Sequence, residues 1–261
     1  GERGVQRLCH HAVSFARAHQ LAICVLGGGS NVVIADEGFN GLVIVMRIAG
    51  IATTPRDTHV EVTVGSGALW DEVVVWSIAQ GLSGFECLSG VPGTVGGAVV
   101  ANLGAYGAQV SDTFMHAEVL DLEDAKKETV RIEKEQCNFS YHDSMFGHQP
   151  GRYAIISATF LLSTDPLALP SYRDNRFDIQ ALTTTLGHAP THEEVRAAVL
   201  DVREQKGSLI MPGRLSFKSA GSFFHMPFVS PHTYEEIIAK ARALDAEKEE
   251  RSRPWAWKQP D

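Results

Sequence analysis

The sequence predicts an α+β fold. Helical periodicity is confined to a few stretches, alternating apolar runs pair with one another instead of alternating with helices, and two uncharged glycine-rich loops interrupt the first half of the chain.

Val5, Leu8, Ala12, Phe15 and Ala16 follow the 3.6-residue period, so residues 4–19 are expected to be a helix. Residues 23–26 form a short apolar run that enters the first glycine loop, and residues 32–35 and 42–46 read as two more strands. Strand, turn and strand in such close order do not make the strand, glycine loop and helix of a dinucleotide fold. The first loop also lacks G-x-G-x-x-G. Val60, Val62 and Val64 alternate with polar neighbours, as in a half-buried strand. Gly65-Ser66-Gly67 then turns the chain into a helix over about 69–80, which Gly81 stops. Residues 117–122 and 128–133 alternate around Glu123-Asp124-Ala125-Lys126-Lys127, a hairpin signature, and 153–162 is a further strand. Thr191-His192-Glu193-Glu194 is a capping box opening a helix to about Lys206. Ser230-Pro231 opens another, to about Leu244, with proline at the first helical position. Composition shifts near 49–57 and again near 207–214, which gives expected domains at 1–51, 52–207 and 208–261. The amphipathic pattern begins almost at residue 1, and the tail carries Arg253-Pro254-Trp255-Ala256-Trp257. Both ends give the expectation of a fragment of a longer protein.

The glycine loops are the most informative feature. One is Leu26-Gly27-Gly28-Gly29-Ser30-Asn31. The other runs from Gly90-Val91-Pro92-Gly93-Thr94-Val95-Gly96-Gly97 to Asn102-Leu103-Gly104-Ala105-Tyr106-Gly107. Glycine admits positive φ and close approach to the main chain. An uncharged glycine loop therefore offers N–H groups to a phosphate or a flat ring. Either loop alone could be a tight turn between buried strands. As a pair they point to a large phosphate-bearing cofactor held from two sides.

The net charge of -8 argues against a general nucleic-acid binder, and 44% hydrophobic residues argue against disorder. The four cysteines contain no C-x-x-C, which fits a reducing compartment without structural zinc. No apolar run reaches membrane-spanning length, so the expected location is the cytosol, with no membrane partner. Among the eleven histidines the nearest pairs are His10-His11 and His188/His192. Neither is H-E-x-x-H, and no metal is expected. There is no G-x-S-x-G hydrolase elbow. Ser222, between Gly221 and Phe223-Phe224, reads either as a buried proton donor or as a turn serine.

Gly28-Gly29-Ser30-Asn31, Gly90-x-Pro92-Gly93-x-x-Gly96-Gly97, Asn102-x-Gly104-Ala105-Tyr106-Gly107, Tyr141-x-Asp143-Ser144-x-Phe146 and Gly221-Ser222-Phe223-Phe224 occur in that order. Together, over about residues 24–245, they resemble the UDP-N-acetylenolpyruvoylglucosamine reductase (UDP-N-acetylmuramate dehydrogenase, MurB) family. The resemblance implies an FAD-binding fold of the vanillyl-alcohol oxidase type in two subdomains, followed by an α+β substrate-binding domain. It implies a cytoplasmic, monomeric oxidoreductase of peptidoglycan synthesis. NADPH would reduce FAD, and the reduced flavin would deliver hydride to the enolpyruvyl double bond of a UDP-sugar.

Position by position, the resemblance implies Ser222 as proton donor and Lys206 as a substrate-binding cation. Tyr172, in Ser171-Tyr172-Arg173-Asp174, would close over the UDP-sugar, with Tyr141 beside it. Gly28, Gly29, Ser30 and Asn31 would hold the FAD pyrophosphate. Gly90, Pro92, Gly93, Gly96, Gly97, Asn102, Gly104, Ala105, Tyr106 and Gly107 would form the second wall of the flavin site. A serine hydroxyl is a poor acid in water, so Ser222 would need a dry site and a nearby cation such as Lys206.

Three features depart from the family pattern. His142 stands where the family has an arginine that polarises the substrate carboxylate, and imidazole lacks the guanidinium fork. His225-Met226-Pro227 replaces a residue followed by Asn-Pro. The N-terminal Gly-Gly-Pro segment and the C-terminal catalytic glutamate of the family have no counterpart in this sequence. These departures leave two alternatives to the reductase: a non-catalytic or truncated relative that binds FAD or a UDP-sugar, and another flavin oxidoreductase of the same fold.

Overall fold

A computed structural model describes residues 11–124, 129–165, 177–212 and 229–245. The chain forms two compact units, Gly1–Gly221 and Ser222–Asp261.

In the first unit, helix α1 (residues 11–18) covers the described part of the expected N-terminal helix, and Val13 and Ala16 are its buried positions. Strands β1 (Ala22–Leu26) and β2 (Gly41–Val45) pair in parallel, Ala22 against Gly41 through Leu26 against Val45. A parallel pair needs a long connection. Here residues 27–40 supply it as irregular backbone that begins with the first glycine loop. The strand expected at 32–35 does not form. Val32, Val33 and Ile34 are 51%, 81% and 61% exposed and join no sheet. A β-branched run stays a strand only where a neighbour completes its hydrogen bonds.

Five antiparallel strands form the main sheet in the order β3-β4-β9-β7-β8: β3 (Ile51–Arg56), β4 (His59–Gly65), β7 (Phe114–Asp121), β8 (Thr129–Glu133) and β9 (Tyr153–Ser163). β3 falls in a stretch expected only as a boundary. It is exposed throughout and lies at the sheet edge, where Pro55 costs no ladder bond to a further strand. The expected hairpin forms between β7 and β8, with residues 125–128 of its turn outside the described residues.

Between β4 and β7 the chain crosses one face of this sheet. Helix α2 (Trp70–Ala79) ends at Gln80, and Gly81 follows at φ +69°. A 3-10 turn (Glu86–Leu88) and the short helix α3 (Val95–Val100) come next, and α3 packs on β9. The core gathers here. Trp70, Phe85, Phe114 and Phe160 are at most 2% exposed and meet edge to face or tilted, with Phe85 and Phe160 centroids 5.1 Å apart. The Trp70 indole N–H donates to the Leu88 carbonyl at 3.1 Å, so its polar edge is satisfied inside the core.

A two-residue hairpin, β5 (Gly104–Ala105) and β6 (Ala108–Gln109), turns on Tyr106 and Gly107 at φ +52° and +91°. Both signs match a primed turn, where glycine at the second position avoids strain. The short helix α4 (Val110–Thr113) follows it directly, and α5 (Met145–His148) precedes β9. Helix α6 (Ile179–Leu186) starts at Asp178, whose carboxylate accepts the Gln180 N–H at 2.8 Å. Helix α7 (His192–Gln205) carries the expected capping box. Thr191 N–H donates to Glu194 at 2.8 Å, and the Glu194 N–H donates back to the Thr191 hydroxyl at 3.2 Å.

In the second unit the described residues contain helix α8 (Pro231–Asp245), as expected. The Ser230 hydroxyl accepts the Thr233 N–H at 3.2 Å. No helix among the described residues is long and apolar enough to cross a membrane.

Candidate functional site

The two glycine loops, some sixty residues apart in sequence, meet in space. A methyl group on Gly28 would stand 3.1 Å from the Gly93 α-carbon, and one on Gly27 would stand 2.6 Å from the Thr94 hydroxyl. The Ser30 hydroxyl donates to the Pro92 carbonyl at 3.3 Å. Gly93 itself has φ +122°, a region closed to other residues, and a methyl there would lie 2.9 Å from the Ser30 oxygen.

The second loop is pinned from behind by backbone. Trp70 N–H donates to the Gly93 carbonyl at 3.0 Å, Val95 N–H to Ala68 at 3.0 Å and Gly96 N–H to Ser66 at 2.8 Å. The N–H groups of Gly28, Gly29, Ser30 and Gly97 have no hydrogen-bond partner among the described residues. The buried hydroxyls of Ser66 and Thr94 are likewise unpartnered. Unpaired donors at an uncharged glycine cleft are the arrangement that takes a diphosphate. Ser66 and Thr94 were not singled out from the sequence, because a serine and a threonine among glycines also read as turn residues.

Helix α3 ties this cleft to the Tyr141-x-Asp143-Ser144 motif. Six residues of helix span about 9 Å, with the N-cap Thr94 at one end and Val100 at the other. The Ser144 hydroxyl donates to the Val100 carbonyl at 2.6 Å, and the Asn102 amide donates to Ser140 at 2.8 Å. Asn102 also accepts the Ser111 N–H at 3.0 Å, so its side chain is engaged at both ends inside the fold. Tyr141 is 40% exposed and its ring lies 4.4 Å from that of His142, which sits at φ +51°. Asp143 accepts the Ser144 N–H at 2.9 Å and pairs with His148 at 2.6 Å. Tyr106 is 3% exposed and packs against Phe177, which fixes the Gly104–Ala105 hairpin from inside. Lys206 caps the C-terminus of α7, its N–H donating to Val202 at 3.1 Å. Tyr172 and Ser222 lie outside the described residues, as do Phe223, Phe224 and Met226. Among the described residues no cluster of histidine, cysteine, aspartate and glutamate is arranged for a metal ion.

Residues 9–131 match the FAD binding domain family. With the sheet and the glycine cleft this defines an FAD-binding α+β fold. The chain is 38% identical over 221 residues to UDP-N-acetylenolpyruvoylglucosamine reductase of Salinispora arenicola, covering 84% of this chain and 59% of that protein. It is 34% identical over 238 residues to the reductase of Ralstonia nicotianae, covering 89% of this chain and 67% of the relative. A solved structure of the Thermus caldophilus reductase superposes with a TM-score of 0.52 at 27% identity, over 87% of this chain and 70% of that one. The chain belongs to the UDP-N-acetylenolpyruvoylglucosamine reductase family. It spans 59% and 60% of the Salinispora and Thermobifida fusca relatives.

Proposed function

We propose that this chain carries the flavin site of an NADPH-dependent reductase that converts UDP-N-acetylglucosamine enolpyruvate to UDP-N-acetylmuramate, a cytoplasmic step of peptidoglycan synthesis. The observation that carries the reading is the close approach of Gly27–Ser30 to Pro92–Gly97, where four N–H groups and two buried hydroxyls have no hydrogen-bond partner among the described residues. These groups fit the diphosphate of FAD. Gly28, Gly29, Ser30 and Gly97 would hold it through backbone N–H groups, and Thr94 and Ser66 would add hydroxyl donors. When bound, FAD supplies the two-electron hydride chemistry that links NADPH to the enolpyruvyl double bond.

The remaining roles fall to the chain's own side chains. Reduction beside a carboxylate builds negative charge on its oxygens, which needs a cation and then a proton. The family resemblance would assign the cation to Lys206 and the proton to Ser222. By the same resemblance Tyr141 and Tyr172 would cover the UDP-sugar. His142 occupies the arginine position of the family. An imidazole there lacks the guanidinium fork, which favours a second reading, a relative that binds flavin or UDP-sugar without turnover.

The test is anaerobic. The purified chain is loaded with FAD, NADPH is added, and then the enolpyruvyl UDP-sugar. The reading predicts bleaching of the flavin band and its recovery on the sugar, with recovery lost in Ser222→Ala while bleaching persists. Bleaching without recovery in the wild-type chain supports the non-catalytic relative, the more so if His142→Arg restores recovery. Absence of flavin binding defeats the reductase reading and leaves, of the second, only a relative that binds the UDP-sugar.

A further inference from the structure

We infer that Asp71 and Arg196 are positioning residues: they suspend the second glycine loop, residues 90–93, so that it faces the first at the spacing the cofactor needs. The inference rests on the flavin reading of the cleft and assigns the clamp behind it.

Asp71 is the second residue of α2. One carboxylate oxygen accepts the Gly90 N–H at 2.6 Å and the Arg196 Nη1 at 2.6 Å, while the other accepts Arg196 Nη2 at 2.8 Å. A bidentate guanidinium–carboxylate pair fixes orientation as well as distance. Here it also freezes a backbone N–H, because Gly90 shares an oxygen with Arg196. Burial alone would push the Asp71 carboxyl up. The Arg196 and Gly90 hydrogen bonds, with the charges of Arg196 and Arg203, overcome that and hold it below the ordinary carboxylate value.

Gly90 is seated just as closely on its other side. Its φ is +70°, and a methyl group there would lie 2.6 Å from Leu200, 3.1 Å from Leu209 and 3.2 Å from the Arg203 guanidinium. The loop therefore starts on the Asp71 side chain and α7, and ends on the Trp70 N–H at Gly93. Two consecutive residues of α2 hold its two ends. At the Gly93 end the loop comes so close to the first that a methyl group on Gly28 would stand 3.1 Å from the Gly93 α-carbon. An ion pair serving only to staple α2 to α7 would need no Gly90 N–H.

Three readouts on the full chain test this: hydrogen exchange of the peptide containing residues 90–93 in flavin-free protein, FAD affinity, and thermal midpoint. Loss of one charge-assisted hydrogen bond is expected to raise exchange and the FAD dissociation constant by about tenfold in Asp71→Ala. Arg196→Lys, which lacks the fork, is expected to fall between that variant and the wild type. The decisive variant exchanges the charges, Asp71→Arg with Arg196→Asp. It is expected to recover the thermal midpoint but neither slow exchange nor affinity, because arginine cannot accept the Gly90 N–H. Recovery of all three would overturn the inference and leave a plain staple between helices. If the exchanged protein does not fold, Asp71→Asn decides. Its amide oxygen still accepts Gly90, so exchange at 90–93 is expected to stay slower than in Asp71→Ala, and equal exchange overturns the clamp. A wild-type chain that fails to bind FAD defeats the flavin reading, whereas the exchange readout tests the clamp without flavin.

Discussion

Gly27→Ala probes the spacing between the glycine loops with a single methyl group. The new carbon would stand 2.6 Å from the Thr94 hydroxyl, against 3.8 Å and 3.9 Å from the N and Cα of Gly97, so Thr94 is its one real clash. Threonine is β-branched and stiff at χ1, so relief comes from the loops moving apart. Overpacking of this kind costs about 1–3 kcal/mol. At about 1.4 kcal/mol per decade, parting of the loops should weaken FAD binding by about 5- to 150-fold, read by flavin fluorescence titration. Thr94 makes no side-chain cap bond, and its hydroxyl has no partner. Thr94→Ala should therefore cost the empty protein little. In the double variant the clash is gone, so the double variant should bind within about threefold of Thr94→Ala alone, a coupling visible in the cycle. Unchanged affinity in Gly27→Ala, or a full penalty surviving in the double variant, would refute the claim that these loops face one another across a ligand.

Three other outcomes follow from the geometry. Trp70→Phe removes the donor to the buried Leu88 carbonyl and should cost about 1–3 kcal/mol beyond the smaller ring, read as a lower urea midpoint with an unchanged slope. Asp71 and Asp121 are both held below the ordinary carboxylate value. For Asp121, burial acts upward but is outweighed by Arg152 and by the backbone N–H of Glu123. Their stabilisation is present above the unfolded value, about pH 4, and lost as pH falls through the lower folded values. Thermal midpoints should therefore drop in that acid range, and Asp71→Asn should flatten part of the drop. Burial, with the charges of Glu135 and Glu133, pushes the Cys137 thiol up to about 12. At pH 8 a disulfide reagent should reach Cys137 only after unfolding, and prompt reaction of Cys137 in the native chain would contradict the packing.

The parts of the fold legible in the sequence were those whose signals are local. The Thr191/Glu194 box, the alternation of Val60 to Val64 and the stop at Gly81 each depend on neighbours within a few residues, and each appears in the structure. Val32 to Ile34 misled because β-propensity says nothing about a missing partner strand. β3 was missed for the converse reason: Pro55 reads as a breaker, and only its edge position makes it harmless. α3 was missed because Gly96 and Gly97 disfavour helix, while its stability comes from packing on β9. At the site, glycines announced the cleft, but the closure of Gly28 on Gly93 and the joint hold of Asp71 and Arg196 on Gly90 are long-range facts. No spacing rule brings residues 71, 90 and 196 together.

If the paired glycine loops grip a diphosphate, ligands with and without one should bind very differently. FAD, ADP and riboflavin are titrated against the purified chain by calorimetry. One FAD per chain, displacement by ADP, and far weaker binding of riboflavin, which has the ring but no diphosphate, are expected. Riboflavin binding as tight as FAD, or no competition by ADP, would contradict the diphosphate grip.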